Sequence, residues 1–169
     1  MFELYTDGSC SGNGEKENFG GMGIVLVKEG VVVKDYSIPA VNTTNNRMEM
    51  SAIIYAINIA KILNKGVPRE IIIYSDSSYC VDTINKWMYS WVVKGWKKAD
   101  KKTPENIELV KELYRLMQFE RAIKVRKIKG HNGHEFNERA DALATAATEK
   151  AKKGGIDYGS QQRGIEENI

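Results

Sequence analysis

The 169-residue chain is poor in cysteine, proline and long apolar runs. Its two cysteines, Cys10 and Cys80, form neither a CxxC pair nor a dense framework, which excludes a disulfide scaffold and favours a reducing compartment. No apolar run approaches the roughly 18 residues of a transmembrane helix. The first residues lack the basic-then-apolar order of a signal peptide. We therefore expect a cytoplasmic protein without a transmembrane span.

Apolar residues make up 42% and charged residues 28% of the chain, which is typical of a globular domain and excludes a disordered or fibrous protein. The net charge of +3 is unevenly divided, because residues 94–102 carry +4 and residues 121–129 carry +5. The remainder is therefore acidic. This division predicts a basic surface for a polyanion and an acidic site elsewhere. The alternative is two solvated lysine-rich faces.

Hydrophobic periodicity predicts the element order β-β-β-α-β-α-α-β-α. The predicted strands cover residues 2–7, 20–29, 31–38, 71–76 and 122–129, and the predicted helices cover residues 46–63, 78–87, 103–119 and 135–153. Thr103 and Pro104 are expected to cap and start the third helix. An early hairpin followed by helical crossovers is typical of an α/β fold with a mixed sheet and helices on its faces.

Two predicted strands end alike, at Asp7 two residues after Tyr5 and at Asp76 two residues after Tyr74. In α/β sheets, functional sites lie at the carboxyl ends of strands. If the two strands are neighbours, about 4.8 Å apart, their terminal carboxylates lie close together. The alternative is that both aspartates are turn formers.

Two further acids fall on predicted helices. Glu49 is placed in the first turn of helix 46–63, at the head of an apolar stripe, so its carboxylate should face the sheet. A favourable interaction with the positive end of the helix is the alternative. Asp141 flanks a stripe of small residues on helix 135–153, and its alternative is a surface ion pair with a basic neighbour.

The only histidines, His131 and His134, lie in the segment GHNGH. Any imidazole chemistry must use this segment, although an ordinary surface loop explains it equally well. Cys10, Cys80 and both histidines supply enough ligands for zinc, but the cysteines lack the close spacing of a zinc site. Four clustered carboxylates would instead be neutralised by protons or by hard divalent cations such as Mg²⁺ or Mn²⁺. Two such ions could cut a nucleic-acid backbone.

Five segments, taken in order, resemble the ribonuclease H type 1 family over about residues 1–153. They are TDGSC from Thr6, TNNRME from Thr44, SDSSY from Ser75, GHNGH from Gly130 and NERAD from Asn137. The resemblance implies a five-stranded mixed sheet, with the first three strands antiparallel and helices on both faces. It also implies a two-metal endoribonuclease that cuts the RNA strand of RNA–DNA hybrids, leaving 5′-phosphate and 3′-hydroxyl ends.

By the family pattern, the metal ligands would be Asp7, Glu49, Asp76 and Asp141, and His131 would assist proton transfer or product release. The cofactor would be two Mg²⁺ ions, with Mn²⁺ as a substitute. The resemblance also assigns substrate contacts to Cys10, Asn13, Thr44, Asn45, Ser78, Trp87, Lys94, Trp96, Lys97, Lys98, Lys101, Lys102 and Asn137. Ser78 stands where the family usually has glutamine. For Trp87, a core position is the alternative to the groove that binds DNA sugars.

Residues 91–102 resemble the basic protrusion of the bacterial type 1 enzyme, whose lysines meet DNA phosphates. Val92 and Val93 stand where lysines are common, so we expect a weaker contact. The predicted organisation is a catalytic domain over residues 1–153 and a flexible tail over residues 154–169. We expect a monomer whose partner is the hybrid. The competing functions are a non-catalytic hybrid-binding module, another nuclease or strand-transfer enzyme of the same fold, and a zinc-structured binding module.

Overall fold

One five-stranded sheet organises the chain, with the spatial strand order β3-β2-β1-β4-β5. The strands are β1 Phe2–Ser11, β2 Phe19–Lys28, β3 Val31–Val41, β4 Ile71–Ser75 and β5 Ile123–Lys127. The first three strands are antiparallel, whereas β4 runs parallel to both β1 and β5. The predicted mixed sheet is therefore confirmed, with its antiparallel hairpins first and its parallel strands last.

Helices cover both faces of this sheet. They are α1 Asn45–Leu63, α2 Ser78–Asp82, α3 Met88–Val93, α4 Ile107–Met117 and α5 Glu135–Lys152, with a π-helical turn, Thr83–Trp87, between α2 and α3. Helix α1 packs on β1, β2 and β4, and α5 packs on β1, β2 and β3. None of the helices in the described ranges has the length and apolar character needed to cross a bilayer.

The computed structural model describes residues 1–12, 17–128 and 134–154. Three sequence predictions lie outside these ranges. They concern the substrate contact Asn13, the catalytic histidine His131 and the tail from residue 155 onward.

The strand alternation divides the core into two layers. Leu4 and Ile24 point to one face and belong to the larger cluster, which includes the buried side of α1. Their neighbours Tyr5 and Val25 point to the other face and pack with Ala140 of α5. The period of two along β1 and β2 therefore decides which helix each residue contacts.

Glycines in β2 let α5 approach the backbone of the sheet. A Cβ atom at Gly23 would lie 2.7 Å from the backbone nitrogen of Ala144, and one at Gly21 would lie 2.7 Å from the Cβ atom of Ala147. Real side chains do not reach such distances without displacement of the helix. The two glycines therefore set the depth at which α5 sits on the sheet.

The prediction that β1 ends at residue 7 is wrong. The strand continues to Ser11, because residues 8–11 pair with Phe19–Met22 of β2 and so satisfy their backbone groups. Asp7 consequently lies inside a strand rather than at its end. Asp76 follows β4 directly, as predicted.

Three helix boundaries also differ from the prediction. The predicted helix 78–87 continues through the π-helical turn to Val93. The third helix begins at Ile107 rather than at Thr103, since Asn106 adopts a left-handed conformation with φ of 56°. Helix α1 begins at Asn45, which places Glu49 in its second turn rather than its first.

We predict that Gly23→Ala lowers the free energy of unfolding by about 3 kcal/mol, because the added methyl group forces α5 away from β2. Urea denaturation measures the change. Gly66→Ala is the control: Gly66 has no neighbour within 4 Å but has a φ of +86°, so only the left-handed penalty of about 1 kcal/mol applies. Equal losses in the two variants would contradict the role of close approach.

Candidate active site

Strand pairing brings the first two acids together. β1 and β4 are parallel neighbours with Tyr5 opposite Tyr74, and the two rings stack with centroids 5.0 Å apart. Asp7 and Asp76 follow these tyrosines by two residues each, so the same register places them side by side. The sequence-based expectation that neighbouring strands would juxtapose these carboxylates is therefore confirmed, although Asp7 lies within its strand.

Glu49 reaches the same place from α1. The hydroxyl of Thr44 accepts a hydrogen bond from the backbone nitrogen of Arg47 at 3.2 Å and caps the helix. Gly8 of β1 allows the start of α1 to approach the strand closely, because a Cβ atom at Gly8 would lie 2.5 Å from the backbone nitrogen of Glu49. The predicted inward direction of Glu49 is confirmed, and the close helix–strand approach is its cause.

Asp7, Glu49 and Asp76 form a group whose carboxylate oxygens lie within 4.8 Å of one another. The Asp7 side chain is buried, Glu49 is half-buried and Asp76 is exposed. Oε2 of Glu49 is buried and has no hydrogen-bond partner in the described part of the chain. A buried acceptor without a donor is costly, and a divalent cation would supply the missing charge. These residues therefore fit a hard metal ion.

Burial and mutual repulsion raise the pKa values of the two inner acids. For Glu49 the largest cause is burial, followed by the charges of Asp7 and Asp76. For Asp7 it is again burial, followed by a hydrogen bond to Asp141 and the charge of Asp76. Without a cation, Asp7 and Glu49 thus retain protons at pH values where isolated carboxyl groups are ionised.

Asp141 stands beside this group rather than within it. It lies exposed on α5, and a hydrogen bond between its carboxyl group and that of Asp7 raises the pKa of Asp7. The neighbouring Arg139 pairs instead with Asp35 of β3, at 2.8 and 2.5 Å. The surface ion pair between Asp141 and Arg139 is therefore not formed, and Asp141 faces the acids.

The described residues do not support the zinc hypothesis. Among residues 1–12, 17–128 and 134–154, the one group of three possible ligands is the three-carboxylate group. The Cys10 thiol instead donates to the carbonyl oxygen of Thr43 at 3.7 Å. Burial raises the pKa of the Cys80 thiol to about 11, and the nearby Glu49 and Asp76 add to the rise. Cys80 is thus a neutral buried thiol rather than a thiolate ligand.

A layer of aromatic side chains next to the acids was not predicted. His134 lies against Tyr5, with ring centroids 5.1 Å apart, and Phe136 contacts both rings. Nδ1 of His134 accepts a hydrogen bond from the backbone nitrogen of Asn137 at 3.4 Å, which caps α5 and leaves Asn137 half-buried in its first turn. Because Tyr5 and Asp7 are two residues apart on β1, their shared face was the available signal for an aromatic ring near the acids. That signal did not indicate that His134 would pack there.

An aromatic groove lies beside the acids on α2 and α3. It is lined by Tyr79, Trp87, Trp91, Lys98 and Glu105. Trp87 is 39% exposed, with its ring centroid 5.8 Å from that of Tyr79 and 6.3 Å from that of Trp91. A core position for Trp87 is therefore wrong. The π-helical turn, which ends at Trp87, sets where this ring projects.

The predicted basic protrusion is a folded loop after α3. The backbone nitrogen of Lys98 donates to the carbonyl oxygen of Lys102 at 2.9 Å, and Lys101 adopts a left-handed φ of 67°. Lys94 and Lys97 are exposed, and Lys97 donates to the Thr103 hydroxyl at 2.9 Å. Lys94 and Lys97 therefore face solvent, whereas the half-buried Lys98 pairs with Asp100 at 3.8 Å.

Trp96 packs the protrusion against helix α4. Its ring packs edge-on against Tyr114 of α4, with centroids 5.6 Å apart, and Lys111 lies over it at 5.6 Å. Trp96 is half-buried and has a φ of 62°. The sequence-predicted contact of Trp96 with substrate is thus accompanied by a packing role that the sequence did not indicate.

A second groove joins the start of α1 to the turn before α4. It is lined by Thr44, Asn45, Asn46, Glu105 and Asn106. Arg47 ties its two sides together by donating to Asn106 at 3.1 Å and pairing with Glu108. Ser78 lies nearer the acids, exposed at the first position of α2. Sequence reasoning missed Glu105 and Asn106 as lining residues. It placed them inside the predicted helix 103–119, whereas the observed helix α4 begins only at Ile107.

We predict that Glu49→Gln stabilises the metal-free protein at pH 8. Because folding raises the Glu49 pKa, the folded state holds a proton that the unfolded state releases, so stability falls as pH rises above about 4.5. A gain of about 1 kcal/mol raises Tm by about 2–4 °C in a chain of this size. Thermal unfolding in chelator measures the gain, which should vanish at pH 4.

The control is Glu112→Gln. Its hydrogen bond to Arg115 lowers the pKa of Glu112, so loss of that carboxylate should not raise Tm at pH 8. Millimolar Mg²⁺ should stabilise the wild type more than Glu49→Gln, because a bound cation relieves the same repulsion. A lower Tm for Glu49→Gln than for wild type at pH 8 would contradict the electrostatic account.

Comparisons with known proteins agree with this geometry. A family model described as RNase H matches residues 1–149. The ribonuclease H of Agrobacterium fabrum (strain C58) is 42% identical over 151 residues, which cover 89% of this chain and 97% of that protein.

Two solved structures extend the comparison. LC9-RNase H1, described as a type 1 RNase H with the type 2 active-site motif, aligns with a TM-score of 0.70 and 30% identity over 96% of this chain and 80% of its own. LC11-RNase H1, solved in complex with an RNA/DNA hybrid, aligns with a TM-score of 0.66 and 27% identity over 90% and 99% of the two chains. The resemblance indicated by the five sequence motifs is thus confirmed, and the chain belongs to the ribonuclease H family.

Proposed function

We propose that this chain is an endoribonuclease that hydrolyses the RNA strand of RNA–DNA hybrids, leaving 5′-phosphate and 3′-hydroxyl ends. The observation that carries the proposal is the three-carboxylate group of Asp7, Glu49 and Asp76, with its orphaned Glu49 oxygen. The LC11-RNase H1 complex with an RNA/DNA hybrid supports the choice of substrate.

Asp7, Glu49 and Asp76 would hold the metal, with Asp141 completing the set at the solvent side. Two Mg²⁺ ions, or Mn²⁺ in their place, would supply an activated water and charge stabilisation at the leaving oxygen. The chain itself holds these carboxylates in position. Gly8 lets Glu49 approach β1, and the Tyr5–Tyr74 stack joins the two strands two residues before Asp7 and Asp76. His131 is the proposed aid to proton transfer or product release.

The grooves beside the acids suit a duplex. The exposed face of Trp87 offers apolar area to sugars, and the lysines of the protrusion offer charge to the DNA phosphates. Asn45 and Ser78 are exposed near the scissile position and can test for 2′-hydroxyl groups, together with Asn13. Cys10, Asn137 and the capping Thr44 are the remaining proposed contacts.

We assign the catalytic role to residues 1–153 and propose a monomer that works in the cytoplasm without an obligate protein partner. The test is one end-labelled RNA strand presented paired with DNA, paired with RNA, or alone. Each is incubated with Mg²⁺ and again with excess chelator. Internal cleavage of the hybrid only, abolished by chelator, is expected. Binding of the hybrid without cleavage in Mg²⁺ or Mn²⁺ would replace the proposal with a non-catalytic hybrid-binding module.

We predict that Asp76→Asn lowers the hybrid cleavage rate about a thousandfold or more while hybrid binding persists. Asp76 is exposed, so the substitution leaves the core intact, whereas loss of one metal ligand costs several kcal/mol of transition-state stabilisation. Single-turnover kinetics and fluorescence anisotropy separate the two effects. Asp82→Asn, a half-buried acid at the end of the neighbouring helix α2, is the control and should cleave normally. Near-normal turnover by folded Asp76→Asn would remove Asp76 from the site.

We predict that Lys97→Ala combined with Lys98→Ala raises KM for the hybrid with little change in kcat. Each lost phosphate contact should lower the slope of log KM against log salt by about 0.9. Steady-state assays between 50 and 200 mM salt, chosen to span the range where counterion release is visible, measure the slope. Lys65→Ala combined with Lys150→Ala removes the same charge elsewhere and should leave it unchanged. Identical slopes in the two double variants would exclude a protrusion contact.

A further inference from the structure

The second basic cluster of the sequence has no role in the proposed reaction. Within residues 121–129, Lys124 and Arg126 lie on β5, the edge strand of the sheet. Both side chains are exposed. Neither forms an ion pair within 4.0 Å of an acidic side chain in the described ranges. Two cations on one face of a strand, without counter-charges in the described ranges, offer a site for a mobile anionic partner.

The strand pleat places these cations on one particular face. Ile123 and Val125 alternate with them and are buried in the larger cluster, on the α1 side. Lys124 and Arg126 therefore point to the opposite face, the one shared by Tyr5 and Tyr74. Helix α5 covers that face over β1, β2 and β3. The cations thus stand on a part of the sheet that lies beside α5 rather than beneath it.

This open face leads directly to the acids. Arg126 pairs with Tyr74 across the β4–β5 register, and Lys124 pairs with Ile72. Because Tyr74 precedes Asp76 by two residues, Arg126 stands about 7 Å below the row of Asp76 along the strand. Glu3 of β1 also lies on this face, where its carboxylate accepts a hydrogen bond from the Tyr5 hydroxyl at 3.4 Å and interacts with Tyr74. Glu3 is thus engaged by the two tyrosines and forms no ion pair within 4.0 Å with either cation.

The open face and the aromatic groove lie on opposite sides of the sheet. The groove is built on α2 and α3, whose buried residues Cys80, Ile84 and Met88 belong to the α1-side cluster. The proposed function places the DNA strand over the groove and the RNA strand across the acids, so an RNA strand that continues past the acids and beyond the duplex can bend toward the face of Lys124 and Arg126. A duplex is too wide and stiff to follow that bend, whereas a single strand is flexible.

We propose that Lys124 and Arg126 form an exit surface for single-stranded RNA, namely the unpaired continuation of the strand that is cut. The inference rests on the proposed function for the identity of that strand. The two cations bind its phosphates, and the half-buried ring of Tyr74 lies beside them. The surface favours hybrids whose RNA strand extends beyond the duplex, at one of its two ends.

The experiment compares a blunt hybrid with hybrids that carry a six-nucleotide RNA overhang at the 5′ or the 3′ end. Wild-type protein in Mg²⁺ provides KM and kcat. The Asp76→Asn protein provides the dissociation constant by fluorescence anisotropy. We expect one overhang to lower both KM and the dissociation constant. That advantage should shrink about sevenfold between 50 and 200 mM salt, since two single-strand phosphate contacts add about 1.4 to the salt slope.

Lys124→Gln combined with Arg126→Gln should abolish the overhang advantage and leave KM and kcat for the blunt hybrid unchanged. Lys124→Arg combined with Arg126→Lys keeps the charges and should keep the advantage. Lys65→Gln combined with Lys150→Gln is the charge-matched control and should also keep it. Thermal unfolding confirms that each variant is folded.

The outcomes separate the two proposals. Equal binding of blunt and overhang hybrids by wild type overturns the exit surface, whether or not the hybrid is cut. An equal advantage from a DNA overhang overturns the assignment to the RNA strand. Failure of wild type to cut any hybrid overturns the proposed function, whereas an overhang advantage in anisotropy that disappears in the double Gln variant still supports the exit surface.

Discussion

The close approach of two helices to one sheet is the constraint on which the site depends. Side chains that bear a Cβ atom keep a helix about 10 Å from a sheet, too far for acids on different layers to meet. Gly8 removes that spacing under α1, and Gly21 and Gly23 remove it under α5. Glu49 and Asp141 can then converge on Asp7 from opposite faces. The position of the acidic site is thus decided by how closely the helix and strand backbones pack.

Bringing these carboxylates together lowers the stability of the folded protein. Asp7 and Glu49 retain protons because they are buried together, so ionising them in the absence of a cation lowers the stability of the folded state. The surrounding core offsets this cost, since Leu4, Ile53 and Ile73 are fully buried next to the site. A divalent cation bound there would remove the repulsion between these carboxylates, which is why the carboxylate group fits such an ion.

The sequence predicted the mixed sheet and the convergence of Asp7, Glu49 and Asp76, because period-two alternation and helical stripes record which side chains face the interior. It misplaced the end of β1, since pairing with β2 rather than local glycine content decides how far that strand extends. The start of α4 was likewise hidden. A left-handed Asn106 and its bond to Arg47, 59 residues away, end the turn that precedes the helix. Contacts of this kind carry no local signal.

The π-helical turn between α2 and α3 marks one extra residue in the helical segment that follows β4. A hydrogen bond of the i→i+5 type encloses one residue more than the α-helical bond does, so the turn amounts to a one-residue insertion in the helical segment from Ser78 to Val93. Loss of one residue at this turn would therefore return the segment to regular α-helix and remove the bulge that ends at Trp87. A single deleted codon would thus change where the Trp87 ring projects while β4 and Asp76 stayed in place.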